Sequence, residues 1–280
     1  MFWKSTYNEF IKIAAKPRSY IGLAAITALV GVILFAFKVN GQAYVSFITS
    51  SFEQTLSFQG NVLNGNLIAF IVLQTLIIHI PLLVALVTGD LISGEAAMGS
   101  LRILASKPIS RSQLLLSKFV AGSAYTLIIV VWLYIMAIGV GKLLFGTGDL
   151  IVLNSDGLSV LQNADTAWRF FSGFGVAFLA LVTVATLSIT LSCFTDNSIG
   201  PIVATMAIII LFTIIGTMDV PVFDQVKPFL FTTHMAAWRS FFDDPLPKTD
   251  IIFSVVVLIV HMLGLLGIAL YKFNRKDILS

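Results

Sequence analysis

Six apolar stretches, at residues 20–37, 67–87, 119–145, 170–194, 199–218 and 251–271, most constrain this chain. Each meets or approaches the roughly 20 residues that carry a helix across a bilayer. No acidic residue interrupts them, and the one basic residue, Lys142, lies close enough to an end to snorkel. Composition agrees: 58% of the residues are hydrophobic and 11% charged, where soluble domains carry about a quarter charged. The fold class expected is all-α, a polytopic membrane protein with six transmembrane helices in a single domain over residues 1–280.

Six spans leave both termini on one side, and the basic residues choose that side. With the N-terminus inside, the inner segments hold eleven of the 17 basic residues against five acidic ones, and the outer segments hold six against nine. Both termini and the 91–119 segment are therefore expected on the cytoplasmic face of the inner membrane. The first twenty residues carry Glu9 and several Lys, so a signal peptide is not expected. One cysteine, Cys193, and three histidines leave no disulfide framework and no metal site to expect. The mild net charge of +3 does not point to nucleic acid.

The N-terminal segment reads as an amphipathic helix, with Trp3, Tyr7, Phe10 and Ala14 on one face and Lys4, Asn8, Lys12 and Lys16 on the other, ended by Pro17. Outside, 219–250 is rich in Pro and aromatics. Thr232 or Thr233 is expected to cap a short helix there, with Met235, Trp238 and Phe242 on one face, lying at or dipping into the outer interface. Between the second and third spans runs "LISGEAAMGSLRILASKPISRSQLLLSKF". Leu91, Met98, Leu101 and Leu104 form an apolar stripe, and Glu95, Gly99, Arg102 and Ser106 an opposite polar stripe left for water or another protein. Pro108 breaks the helix, and Ser110 stands at capping distance from Gln113, flanked by Ile109 and Leu114 as a staple.

This hairpin resembles the signature of ABC type-2 transporter permeases, the integral-membrane subunits of a class of ABC exporters. That family places an acidic residue and a Gly-Glu pair before Gly-Thr-Leu, then Leu-Leu-Ser-x-Pro, a Ser-Arg pair and a Lys. Here Asp90, Gly94, Glu95, Gly99, Ser100 and Leu101 open the run. Leu104, Ser106, Pro108, Ser110, Arg111 and Lys118 complete it in the same order. Ser100 keeps the hydroxyl of the usual Thr, whereas Ala96 and Ala97 stand where charges are common. The resemblance implies that the hairpin is a coupling helix seated in a cytoplasmic ATPase, with the N-terminal helix beside it. Asp90, Gly94, Glu95, Gly99, Ser100, Arg102, Pro108, Ser110, Arg111 and Lys118 would be the ATPase-coupling residues. It further implies two ATPase copies that bind ATP and Mg, a second permease chain (the same or a related one), and an outer 219–250 segment closing the external end.

The chain has no engine of its own. The nearest approach to a phosphate-binding G-x-x-x-x-G-K-[ST] loop is Gly139-Val140-Gly141-Lys142, with Met136 at the first Gly position and Leu143 after the Lys. No catalytic residue or enzyme activity is expected. His79 and His261 are the ionisable groups at mid-membrane; they and Gln74 are read either as a polar translocation path or, preferably, as hydrogen-bonding groups between packed helices. The stripe Thr183, Thr186, Thr190, Cys193 has the same two readings. Pro81 is expected to kink the second span. The function expected is the permease subunit of an ATP-driven exporter. The first alternative is a permease driving maturation or assembly of an extracytoplasmic protein, a layout similar to the permease of nitrous-oxide reductase maturation. The second is an ATP-independent scaffold or secondary carrier, although spans without acids argue against proton coupling.

Overall fold

The computed structural model describes residues 2–49, 61–100, 109–154 and 157–276. Among these, six helices are long and apolar enough to cross a membrane, so the chain is an all-α, multi-pass membrane protein. Lipid offers no partner to a backbone N–H or C=O, and a helix satisfies them within itself. The helices are α1 (Phe2–Ala15), α2 (Pro17–Thr49), α3 (Gly65–Leu76), α4 (Ile80–Thr88) and α5 (Asp90–Ala97). They continue as α6 (Arg111–Phe145), α7 (Asn163–Ser192), α8 (Gly200–Thr217) and α9 (Lys248–Arg275).

Two spans make the core. In α7, 78% of the apolar stretch is buried, and in Ile80–Ala97 72%, against 17% in α8 and in α9. The outer helices show apolar faces such as Val32, Phe35, Ile210 and Leu263, the surface a helix offers to lipid. Thr183, Thr186 and Thr190 are buried in α7, each donating to the carbonyl one turn earlier. Thr183 and Thr190 also reach the α9 carbonyls of Leu258 and Leu265 at 3.4 and 3.1 Å, which makes the stripe part of the α7–α9 seam.

The second span is broken rather than bent. α3 ends at Leu76, and Pro81 is the second residue of the new helix α4, where its missing N–H costs little. The segment after α6 holds an antiparallel hairpin, β1 (Leu150–Asn154) with β2 (Gly157–Leu161), paired Leu150 to Leu161. Leu150, Val152 and Leu161 are buried and Leu153 is exposed, the alternation of a half-covered strand. Asn64 caps α3 by accepting from Asn66 and Leu67 N–H, while its amide reaches Asp149 O at 2.8 Å. The Asn66 amide donates to Gly148 O and to Asn163 Oδ1, so side-chain amides tie α3, the hairpin and α7 together.

The segment between α8 and α9 differs from expectation at its cap. Leu230, not a threonine, precedes the short helix Phe231–His234, and Thr232 Oγ1 is buried without a partner among the described residues. Its aromatics do turn inward. Trp238 and Phe242 are fully buried, with Phe242 5.1 Å from the Phe70 ring and 4.8 Å from Phe170. Arg169 of α7 holds the segment down by donating to Phe241 O and Asp243 O, both at 2.9 Å.

Candidate functional site: a buried ion-pair belt

At the end of the bundle where α5 closes, the chain buries charge. Lys118 of α6 is 0% exposed, its Nζ 2.8 Å from Glu9 Oε2 of α1 and 2.6 Å from Glu95 Oε2 of α5. The Glu95 contact is an ion pair whose geometry falls outside a hydrogen bond. Lys12 closes the ring, 2.7 Å from both Glu9 Oε1 and Glu95 Oε1. Two acids and two bases thus neutralise one another, the condition under which buried charge is tolerated. Burial alone would raise the Glu9 carboxyl, but the charge and hydrogen bonds of Lys118 and Lys12 outweigh it and hold the group below its ordinary value. Burial would lower the Lys12 amine, yet its bonds to Glu9 and Glu95 raise it.

Asp90 organises a second cluster. Its carboxylate meets Lys16 Nζ at 2.7 Å, Arg18 Nη1 at 3.0 Å and the hydroxyl of Ser198 in the α7–α8 turn. Gly94 makes this possible, because a Cβ there would run into the Asp90 carboxylate one turn earlier. Gly99 follows the end of α5 at φ +70°, a left-handed conformation that favours glycine and stops the helix. The spacing Asp90, Gly94, Glu95, Gly99 therefore has a physical reason at each position. A third set closes the belt: Arg111 donates to the carbonyls of Asn274 and Lys276 at the end of α9, and Lys276 pairs with Asp196 at 2.7 Å. Ser110 caps α6 by accepting from Gln113 N–H.

Most of the expected coupling residues converge here: Asp90, Gly94 and Glu95 lie on α5, Gly99 and Ser100 just after it, and Ser110, Arg111 and Lys118 at the cap and in the first turns of α6. Arg102 and Pro108, with Leu101, Leu104 and Ser106, lie outside the described residues. The expected open polar face needs correction, since Glu95 is turned inward at 5% exposure, whereas Met98 of the expected apolar stripe is 67% exposed. A lysine across the sequence outcompetes water for Glu95. The α1 faces need the same correction. Thr6, Glu9 and Ile13 pack inward, while Trp3 and Tyr7 stay 76% and 66% exposed. The path candidates do not converge. Gln74 and His79 are exposed, His79 and His261 bond backbone carbonyls one turn back, and the threonines lie in the α7–α9 seam. Glu9, Lys12, Lys16, Arg18 and Ser198 are not among the site residues expected from the sequence. The one available signal was Glu9, the sole acid in a basic N-terminal helix.

The family model DUF2705, described as "Protein of unknown function", matches residues 22–279. The chain belongs to this family. A curated relative of this DUF2705 chain is "Uncharacterized protein YhcI" of Bacillus subtilis (strain 168), 24% identical over 201 residues. The match covers 69% of this chain and 63% of the relative, so the chain spans less than two thirds of that protein's length.

Proposed function

We propose that this DUF2705 chain is the transmembrane permease subunit of an ATP-driven exporter. It works beside a second permease chain and two copies of a separate cytoplasmic ATPase, and the ion-pair belt faces the cytoplasm. The supporting observation is the Asp90–Lys118 run, which resembles the coupling segment of ABC type-2 permeases and whose helix α5 is bonded to four other elements. Through Asp90 and Glu95, α5 is tied to α1, to the start of α2, to α6 and to the α7–α8 turn. A push on α5 would reach the bundle through these bonds as through a lever. Asp90, Glu95 and Lys118 transmit the movement, while exposed Met98 meets the ATPase.

Tagged chain purified from its host in mild detergent tests the reading. An ATPase should come with it, and Met98→Asp should release that ATPase while the chain still folds. Absence of any ATPase from the wild-type preparation, or its retention by the variant, counts against the proposal.

A further inference from the structure

The opposite end of the bundle holds a cavity of about 350 Å³ between the second span, the last turns of α8 and the inward-turned outer segment. α8 leaves the ion-pair belt at Gly200 and ends at Thr217, about 26 Å away at 1.5 Å per residue, so the two sites are remote. The walls are aliphatic where Ile78, Pro81 and Ile209 face the cavity, and Ile78 is 65% exposed at membrane depth, so this wall continues into lipid-facing surface. The polar lining is confined to hydroxyls, among them Thr213, Thr217 and Thr232, and to one cation, Arg239.

Two of these groups lack a hydrogen-bond or ion-pair partner among the described residues. Thr232 Oγ1 is buried and bonds nothing among the described residues. Arg239 has no ion pair among the described residues; its guanidinium lies 5.7 Å over the Trp238 ring, and no acid lines the cavity. The buried hydroxyl is costly until something bonds it, and Arg239, exposed at the cavity rim, sets a positive charge beside it. One negative headgroup on an aliphatic chain would satisfy both and fill the walls. The volume is at the small end of ligand pockets, about 300–1,000 Å³, which suits one enclosed chain.

We propose that this cavity binds an anionic amphiphile, its carboxylate or phosphate held by Arg239 and by a hydrogen bond from Thr232, its acyl chain lying along Ile78, Pro81 and Ile209. Binding needs no ATPase, so it stands or falls apart from the exporter reading. The test is native mass spectrometry of the full chain in neutral detergent, titrated separately with oleate, phosphatidylglycerol, phosphatidylcholine and inorganic phosphate. Oleate or phosphatidylglycerol should be retained about tenfold better than phosphatidylcholine, as expected for one charge-assisted contact. The tighter of the two assigns the headgroup. Arg239→Gln should abolish that preference, Ala236→Phe should block the cavity to both anionic lipids, and inorganic phosphate alone should not bind. Equal retention of anionic and zwitterionic lipid overturns the proposal, as does an unaltered Arg239→Gln or phosphate binding as tight as that of oleate.

Discussion

Replacing Lys118 with Met should undock α1. Lys118 is fully enclosed, and its ammonium lies between the Glu9 and Glu95 carboxylates at 2.8 and 2.6 Å. Met keeps the bulk and removes the charge, leaving two buried carboxylates that share Lys12 alone. Orphaning one member of a buried pair costs about 3–5 kcal/mol. Against this, α1 buries only Ile13 as a large aliphatic side chain, which contributes about 1.5–3 kcal/mol. The loss exceeds that contribution, so α1 should release before the spans separate. With Cys193 replaced by Ser, a Thr6→Cys probe (Thr6 is 2% exposed) should resist maleimide while α1 is docked. Lys118→Met should speed labelling about a hundredfold or more, from about 1.4 kcal/mol per factor of ten. Adding Glu9→Gln and Glu95→Gln should restore part of the protection. Labelling of Lys118→Met at the wild-type rate would refute the view that the buried ions hold α1.

The same docking should depend on pH at both extremes. Glu9 sits below its ordinary value of 4.5, so its contribution is complete above that pH and is lost as pH falls through its folded value. Lys12 sits above 10.5, so its contribution is complete below that pH and is lost as pH rises through its folded value. Anisotropy of a dye on Tyr7→Cys should therefore be flat through neutrality and drop at either end; a single transition near pH 7 would contradict this. At the other end of the bundle, Arg169→Ala removes two charged hydrogen bonds to Phe241 O and Asp243 O, each worth about 1.5–3 kcal/mol. Trp238, as the sole remaining tryptophan, should then shift its emission to the red, and an unmoved spectrum would show that other contacts hold the segment.

The spans and the Ser110 cap were legible because both are local: an apolar run needs only its own residues, and a cap needs a hydroxyl three positions ahead of an N–H. The break at Leu76 was half legible, since Pro81 marked the place while the end of α3 depends on its neighbours. The ion-pair belt was not legible. Lys118 and Glu9 are 109 positions apart, and no periodicity in either segment announces the other. Helical periodicity even pointed Glu95 the wrong way, because it sorts residues into apolar and polar faces and has no category for a polar face buried against opposite charge. The inward turn of Trp238 was obscured for a related reason: aromatic residues suit an interface and a core equally, and the Arg169 anchor lies on another helix.

α6 is not one uniform helix. From Ile135 to Val140 it winds as a π-helix, each N–H reaching one residue further back than in an α-helix. Such a turn accommodates an extra residue, so the angular bookkeeping of the helix restarts beyond it. Gly141 and Lys142 come up against Gly65 at the start of α3, where a Cβ would sit 2.5 Å from Lys142 Cα. A helical wheel drawn straight through 111–145 therefore misassigns everything after Ile135. Deleting one residue inside 135–140 should therefore restore the ordinary period and leave this seam against Gly65, whereas deleting one from the regular turns before Ile135 should swing the seam away.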